Sequence, residues 1–356
     1  RVLFRSTTPD AAQYANLLAD FVSDGATACA VEASSIGLEE ARMAGSDVDC
    51  ALFTNLTRDH LDYHGTMDAY AAAKAKLFVW SGLRAAVINH DDAFGRQLLT
   101  KTTARMVLAY GLSDRPSDLP KNVQWVGAEN VAATAQGLSA TLVFGDERLP
   151  FVTHIIGRHN LSNMLAVSAV LVAEGLSPAE IVVRLHKLQP PAGRMACYGG
   201  QRQPLVVVDY AHTPDALAHI LSALRDVAIA RQGRLVCLFG CGGDRDPGKR
   251  PEMGRAAAAG ADEVWITSDN PRGEDPEAII AAIAQGATSA QKMTDRARAI
   301  AEVIAGAAMG DVILLAGKGH ESTQEIRGQR YPFDDAVHAQ AALDAWHVVE
   351  QAAGVV

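Results

Sequence analysis

Four apolar runs in the second half of the chain, PLVVVDY (204–210), RLVCLFG (234–240), DEVWITS (262–268) and DVILLAG (311–317), each lead directly into a polar cluster. The clusters are DYAHTPD (209–215), GCGGDRDPGKRP (240–251), SDNPRGEDP (268–276) and GKGHES (317–322). Alanine- and leucine-rich stretches of helical period separate the runs, the pattern of an α/β domain built on a mostly parallel sheet. In an open parallel sheet the carboxyl ends of the strands share one edge, and ligands bind in the crevice outside it. The four clusters are therefore expected to converge on one site.

The first half repeats the pattern. TACAVEA (27–33), DCALFTN (49–55), AAVIN (85–89) and MVLAYG (106–111) read as strands, with helical segments around 10–24, 66–80 and 160–174. Residues 122–156 differ: VQWVG, GLSATLVFGD and RLPFVTHI are short, turn-punctuated and partly alternating, as in an antiparallel patch appended to a sheet. LQPPAGRM (188–195), with two prolines and a glycine, marks a boundary. The fold class is thus α/β in two domains, a mostly parallel-sheet central domain over 1–189 and a Rossmann-like C-terminal domain over 190–356.

Composition narrows the chemistry. A chain of 356 residues is long enough for two separate cores. A formal net charge of −9 offers no basic field to gather nucleic acid or an anionic membrane surface, although local arginines can still receive an anionic small substrate. Five scattered cysteines without CxxC spacing suggest neither a disulfide framework nor a zinc site, and fit a reducing cytoplasm. No run of 18 apolar residues and no signal-peptide pattern occurs, so no membrane insertion is expected. RVLFRS begins at Arg1 without an initiator methionine and runs straight into TTPD, which reads as a fragment.

The densest chemistry of the first half is TNLTRDHLDYH (54–64), followed by Lys74 within DAYAAAKAKLF (68–78). If Thr66 caps the helix, Met67, Tyr70, Lys74, Leu77 and Phe78 form its apolar face. Lys74 on that face has two readings. Its methylenes can cover apolar surface while the ammonium reaches water. Alternatively, burial lowers its pKa and leaves a neutral amine able to act as a nucleophile, even toward carbon dioxide. His60 and His64 stand four apart but without HExxH, which removes a zinc-protease reading. Asp59, Asp62 and the strand-end Glu32 are oxygen donors of the type Mg²⁺ prefers. The pair of histidines can equally be structural.

Other motifs also carry two readings. Gly243, followed after four intervening residues by Gly248 and Lys249, half-matches a P-loop, but Arg250 stands where Ser or Thr must hold Mg²⁺. As a strand-to-helix turn it can still present backbone N–H groups and arginines to an anion, or simply pack on the sheet. Asp269-Asn270-Pro271-Arg272 is either a solvated surface turn or a stiffened guanidinium suited to bidentate capture of a carboxylate. In Gly157-Arg-His-Asn160-Leu-Ser-Asn163, Asn160 can cap the helix, or the two asparagines can read a base edge.

Taken in order, VEASSIGL, TNLTRDHLDYHGTMDAYAAAKAKLF, GRHNLSN, DYAHTPDAL, GCGGDRDPGKRPEMG, SDNPR and GKGHE resemble the Mur ligase family, in its diaminopimelate-adding branch, from Thr7 onward. The resemblance implies a cytoplasmic, monomeric ligase of peptidoglycan-precursor synthesis that uses ATP and Mg²⁺. ATP phosphorylates the carboxylate of a UDP-N-acetylmuramoyl dipeptide, and the amine of meso-diaminopimelate attacks the acyl phosphate. It matches Lys74 to a carbamoylated lysine and Glu32 and His60 to the metal site. Thr7, Thr8, Ser34 and Arg42 match contacts to the UDP-muramoyl dipeptide. Asn160, Asn163, Arg194, Asp209 and His212 match the nucleotide side. Arg245, Asp269, Asn270, Arg272, Gly317 and Glu321 match the diaminopimelate pocket, where Arg272 would hold the distal carboxylate that lysine lacks.

Three departures qualify this. Ile36 stands where the family has a histidine, and His159 where a phenylalanine is common. The family's UDP-binding domain, first strand and GTNGKT-type P-loop are expected before Thr7, so the chain alone is expected to turn over little. The rivals are a lysine-adding or folylpolyglutamate-type sister ligase and a non-catalytic binding module. DNPR argues against lysine and the Thr7, Thr8, Ser34 and Arg42 set against folate. His64 is left without a role.

Overall fold

The computed structural model describes residues 7–346; the RVLFRS start lies outside them. The chain divides into two compact units, one of residues 1–129, 141–150 and 162–185, the other of residues 130–140, 151–161 and 186–356.

In the first unit α1 (Ala11–Ser23) and the short α2 (Ser35–Glu39) precede β1 (Cys50–Phe53). Then follow α3 (Leu61–His64), α4 (Met67–Ala75), β2 (Ala85–Asn89), α5 (Ala93–Lys101) and β3 (Met106–Gly111). β1, β2 and β3 pair in parallel in that order, with Cys50 opposite Ala85 and Ala85 opposite Met106. AAVIN is the central strand of the three, and its first four residues are buried, as expected of a strand covered on both faces. Phe53 anchors the packing: its ring meets those of Phe78 and Phe94 edge-on at 6.1 and 5.6 Å.

The meander read from residues 122–156 is β4 (Gln124–Thr134), β5 (Gly137–Phe144) and β6 (Glu147–Thr153). β4 lies parallel to β3, and β5 and β6 follow in order. Connections as short as residues 135–136 and 145–146 can only join antiparallel neighbours. The helices α6 (Arg158–Ala173) and α7 (Pro178–Leu185) come next.

Two expectations change. Residues 27–33 form no strand, and they are largely exposed. A strand exists only with a ladder partner, and among the described residues that segment has none; β1 is the edge, where Leu52 is exposed. The helix read over 66–80 is α4, which tightens into a 3₁₀ turn over Lys76–Val79. Thr66 does cap it, its hydroxyl accepting from the Ala69 amide at 3.2 Å.

The second unit holds β7 (Ala196–Gly199), β8 (Leu205–Asp209), α8 (Pro214–Arg231), β9 (Leu235–Phe239), α9 (Lys249–Gly260), β10 (Glu263–Thr267) and α10 (Pro276–Ala284). It continues with β11 (Gln291–Met293), α11 (Arg296–Ala305), β12 (Val312–Ala316), the hairpin β13 (Thr323–Ile326) and β14 (Gln329–Pro332), and α12 (Asp335–Asp344). The sheet order is β11-β10-β9-β12-β8-β7, all parallel except β7. Side chains alternate across it. Leu205, Val207, Leu235, Cys237, Val312 and Leu314 face α8, α9 and α10, while Val206, Val208, Val236, Leu238, Ile313 and Leu315 face α11 and α12. Burial of both faces is why these strands read as unbroken apolar runs. Returning β12 between β9 and β8 makes a topological switch at that edge.

Candidate active site

Residues from all four clusters line one cavity of about 390 Å³ at the switch: Tyr210 and His212 after β8, Gly242, Arg245 and Lys249 after β9, Asp269, Asn270 and Arg272 after β10, and Gly317 and Glu321 after β12. Shared polarity of a parallel sheet delivers four strand ends to one edge, as their sequence pattern implies. Its lining carries charge of both signs, the cations Arg245, Lys249 and Arg272 and the carboxylates Asp269 and Glu321.

The DNPR turn is held in detail by β13. The Gln324 side-chain amide donates to the Asp269 carbonyl at 2.6 Å, and the Glu325 amide donates to Asn270 Oδ1 at 2.9 Å. Arg272 adopts a left-handed φ of 51° and lies between two backbone bonds, donating to Glu325 O and accepting from the Arg327 amide. Its Nη1 donates to the Gly243 carbonyl at 2.7 Å, and its Nε stands 3.7 Å from the Glu325 carboxylate. Asn270 Nδ2 donates to Glu321 at 2.8 Å. Burial raises the pKa of Asp269, against the pull of Arg296 and Lys318. Gly317 has φ +109°, which only glycine adopts readily, and its amide donates to the Asp209 carbonyl.

The residues matched to a nucleotide are partly tied to one another. Both oxygens of Asp209 accept backbone amides, from Met195 at 2.8 Å and Ala211 at 2.7 Å, and burial raises its pKa. Asp209 therefore fixes the backbone beside Arg194, whose guanidinium lies 5.6 Å from the centre of the Tyr210 ring. Asn160 donates to Ile156 O and touches Met195 Sδ, while His212 Nδ1 engages the Tyr210 carbonyl. Asn163 lies exposed on α6 in the first unit. The His159 ring packs back toward Gly157.

In the first unit Thr8 is fully buried, and its hydroxyl donates to the Glu32 carbonyl and accepts from the Ser34 amide, both at 2.9 Å. The Ser34 hydroxyl caps α2, and Arg42 Nη1 reaches the Thr8 carbonyl at 2.9 Å. Gly37 permits this fold-back: a Cβ there would sit 2.9 Å from the Thr8 Cβ. Thr7 is exposed and Ile36 half-buried on α2.

Tyr70 organises the neighbouring cluster. Its ring stacks on His64 at 5.3 Å, meets His60 edge-on at 5.7 Å and lies 5.2 Å from Lys74 Nζ. His64 Nε2 also bonds the Ser35 hydroxyl at 2.9 Å. His64 thus ties α3 to α2 and to α4. His60 is in the left-handed region, with φ 53°, beside the Asp59 carboxylate. Burial lowers the pKa of Lys74, with Glu32 and Asp59 opposing, so these carboxylates lie within its electrostatic reach. Among the described residues no three His, Cys, Asp or Glu side chains gather into a metal-holding group.

Comparison with known proteins fits this arrangement. Residues 4–171 match the Mur ligase middle domain, and residues 193–319 match the Mur ligase glutamate ligase domain. A UDP-N-acetylmuramoyl-L-alanyl-D-glutamate–2,6-diaminopimelate ligase of Ralstonia nicotianae is 50% identical over 343 residues, 95% of this chain and 67% of the relative. The chain belongs to the Mur ligase family. A ligase of the same name from Pseudomonas aeruginosa is 50% identical over 97% of this chain and 69% of its own length. A solved diaminopimelate ligase superposes on this Mur ligase with TM-score 0.74 at 40% identity, over 97% of this chain and 70% of that one. The MurF ligase of Thermotoga maritima in complex with ADP, at 16% identity, shares the fold alone, with TM-score 0.59 over 86% of this chain and 65% of its own.

Among the residues on the site, the motifs left Gly242, Lys249, Tyr210, Tyr70 and Lys318 unassigned. Lys249 is hidden in a failed P-loop match, and the aromatic pair look like ordinary core residues. Lys318 lies inside GKGHE, where only its neighbours had been given parts.

Proposed function

We propose that this Mur ligase joins meso-diaminopimelate to UDP-N-acetylmuramoyl-L-alanyl-D-glutamate in an ATP-dependent step of peptidoglycan-precursor synthesis, acting as a cytoplasmic monomer. The observation that carries the reading is one cavity lined by charges of both signs, Arg245, Lys249 and Arg272 together with Asp269 and Glu321. An amino acid with a second carboxylate needs both kinds of wall. Arg272, held by the Gly243 carbonyl and the Glu325 backbone, would receive the distal carboxylate, and Glu321 and Asp269 an ammonium group. Lysine has no distal carboxylate to offer that guanidinium, which is a basis for discrimination against it.

A carboxylate does not react with an amine until its oxygen becomes a leaving group. Transfer of the terminal phosphoryl of ATP to the dipeptide carboxylate supplies one; the amine then forms the C–N bond as the C–O bond to phosphate breaks and the amine proton is lost. Thr7, Thr8, Ser34 and Arg42 would hold the UDP-muramoyl dipeptide. Asn160, Asn163, Arg194, Asp209 and His212 would serve the nucleotide, with Asp209 acting by fixing the backbone beside Arg194. Glu32, His60 and Lys74 would hold Mg²⁺, provided Lys74 takes up carbon dioxide as a carbamate and releases a proton. That donor set, one imidazole and two oxygen anions, suits a hard cation. Held there, such a cation would supply positive charge to offset the repulsion between carboxylate and phosphate. The domain limits 1–189 and 190–356 belong to the same proposal.

The test is a chimera in which this chain replaces the matching part of the Pseudomonas aeruginosa relative, assayed by mass spectrometry for ATP-dependent product. Product with meso-diaminopimelate and almost none with L-lysine is expected. Equal use of both would remove the assignment of Arg272, and product with neither would remove the function.

A further inference from the structure

We propose that Lys318 is a positioning residue that sets Asn270, Asp269 and Glu321 in the arrangement that receives the ammonium group of the incoming amino acid; this rests on the function proposed above. The side chain is fully buried, yet it belongs to a residue type that is almost never so placed without partners. Gly317 and Gly319 on either side both have positive φ, 109° and 54°, so the turn after β12 directs Lys318 inward. Its Nζ lies 2.8 Å from the Thr323 carbonyl, 3.2 Å from Asn270 Oδ1, 3.3 Å from Glu321 Oε2 and 3.5 Å from Asp269 Oδ1. The Phe333 ring covers it at 5.8 Å.

Two consequences follow from elementary chemistry. An ammonium only donates, so it requires the oxygen of Asn270 and not the nitrogen; together with the Glu325 amide it fixes the amide orientation, leaving Nδ2 directed at Glu321. Lys318 also sets the charge. One ammonium stands among two carboxylates, Asp269 and Glu321, while the neighbouring Arg296 is paired bidentately with Asp335. The cluster keeps one uncompensated negative charge on the cavity wall, the complement of a single incoming ammonium. Without Lys318 the buried Asp269 loses a cation that opposes its protonation, and its charge is no longer held. Lys318 lies behind the lining residues, so it acts through them.

The experiment is isothermal titration of meso-diaminopimelate into the 356-residue chain, wild type against Lys318→Met and Lys318→Gln, with folding followed by circular dichroism. Both variants are expected to bind at least tenfold more weakly at temperatures where they remain folded. A purely structural role would lower the melting temperature and leave the dissociation constant of the folded variant within twofold of wild type, and that result overturns the proposal. If neither variant folds, the ¹⁵N-labelled Lys318 ammonium signal of the wild type decides: it should shift on adding meso-diaminopimelate, and an unmoved signal overturns the proposal. Failure of the wild-type chain to bind at all would instead remove the diaminopimelate reading on which this rests.

Discussion

The Nζ of Lys74 stands 5.2 Å from the centre of the Tyr70 ring, one helical turn away on α4. The two readings of Lys74, a snorkelling stem and a reactive amine, meet in this contact. Burial disfavours the ammonium while the ring face and the carboxylates of Glu32 and Asp59 favour it. Lys74→Ala in the chimera is expected to lower product formation by roughly 100-fold or more, the several kcal/mol that a metal site contributes, with no rescue by bicarbonate. Near-normal turnover would return Lys74 to snorkelling.

Arg272 is locked by backbone on both sides and is only partly exposed. Arg272→Lys keeps a charge but loses the planar fork. It is expected to weaken meso-diaminopimelate binding by about 2 kcal/mol, roughly 30-fold, with little change in melting temperature. Calorimetric titration of the variant checks this, and unchanged affinity would place the distal carboxylate elsewhere.

Arg296 and Asp335 form a fully buried bidentate pair, at 2.7 and 2.6 Å, that joins the start of α11 to the start of α12. Removing one partner strands the other. Asp335→Ala is expected to cost about 3–5 kcal/mol in urea unfolding, whereas the double change Arg296→Met with Asp335→Leu should recover most of it. A double variant as unstable as the single one would show that the pair is worth more than its desolvation.

Burial raises the thiol pKa of Cys50 and Cys197 to about 11 and of Cys237 and Cys241 to about 12, while Cys29 is exposed. At pH 8 only about one in a thousand of the Cys50 or Cys197 thiols is a thiolate. A thiol reagent is therefore expected to modify Cys29 rapidly and the other four only on unfolding. Because the folded state holds these protons more tightly, their contribution to stability is complete below the ordinary value of 9.0 and is lost as pH rises through about 11 to 12. Melting temperatures measured between pH 8 and 11 should fall, and four rapidly labelled thiols at pH 8 would contradict the burial.

Much of this Mur ligase is written locally in its sequence. Apolar runs that end in polar clusters state that strands exist, that both faces are covered and that chemistry lies at one edge, because strand polarity and side-chain alternation are properties of a single segment. Thr66 names its helix start for the same reason. Partnership is not local. TACAVEA has the composition of a strand but no ladder among the described residues. His64 looked idle until folding set it between Ser35 and Tyr70. Lys318 reads in sequence like any solvated lysine, and only the meeting of its own turn, at Glu321 and Thr323, with the distant turn of Asp269 and Asn270 makes it a buried cation. A residue's type sets what it can donate or accept; which groups surround it, and hence its charge and its work, is decided where distant parts of the chain pack together.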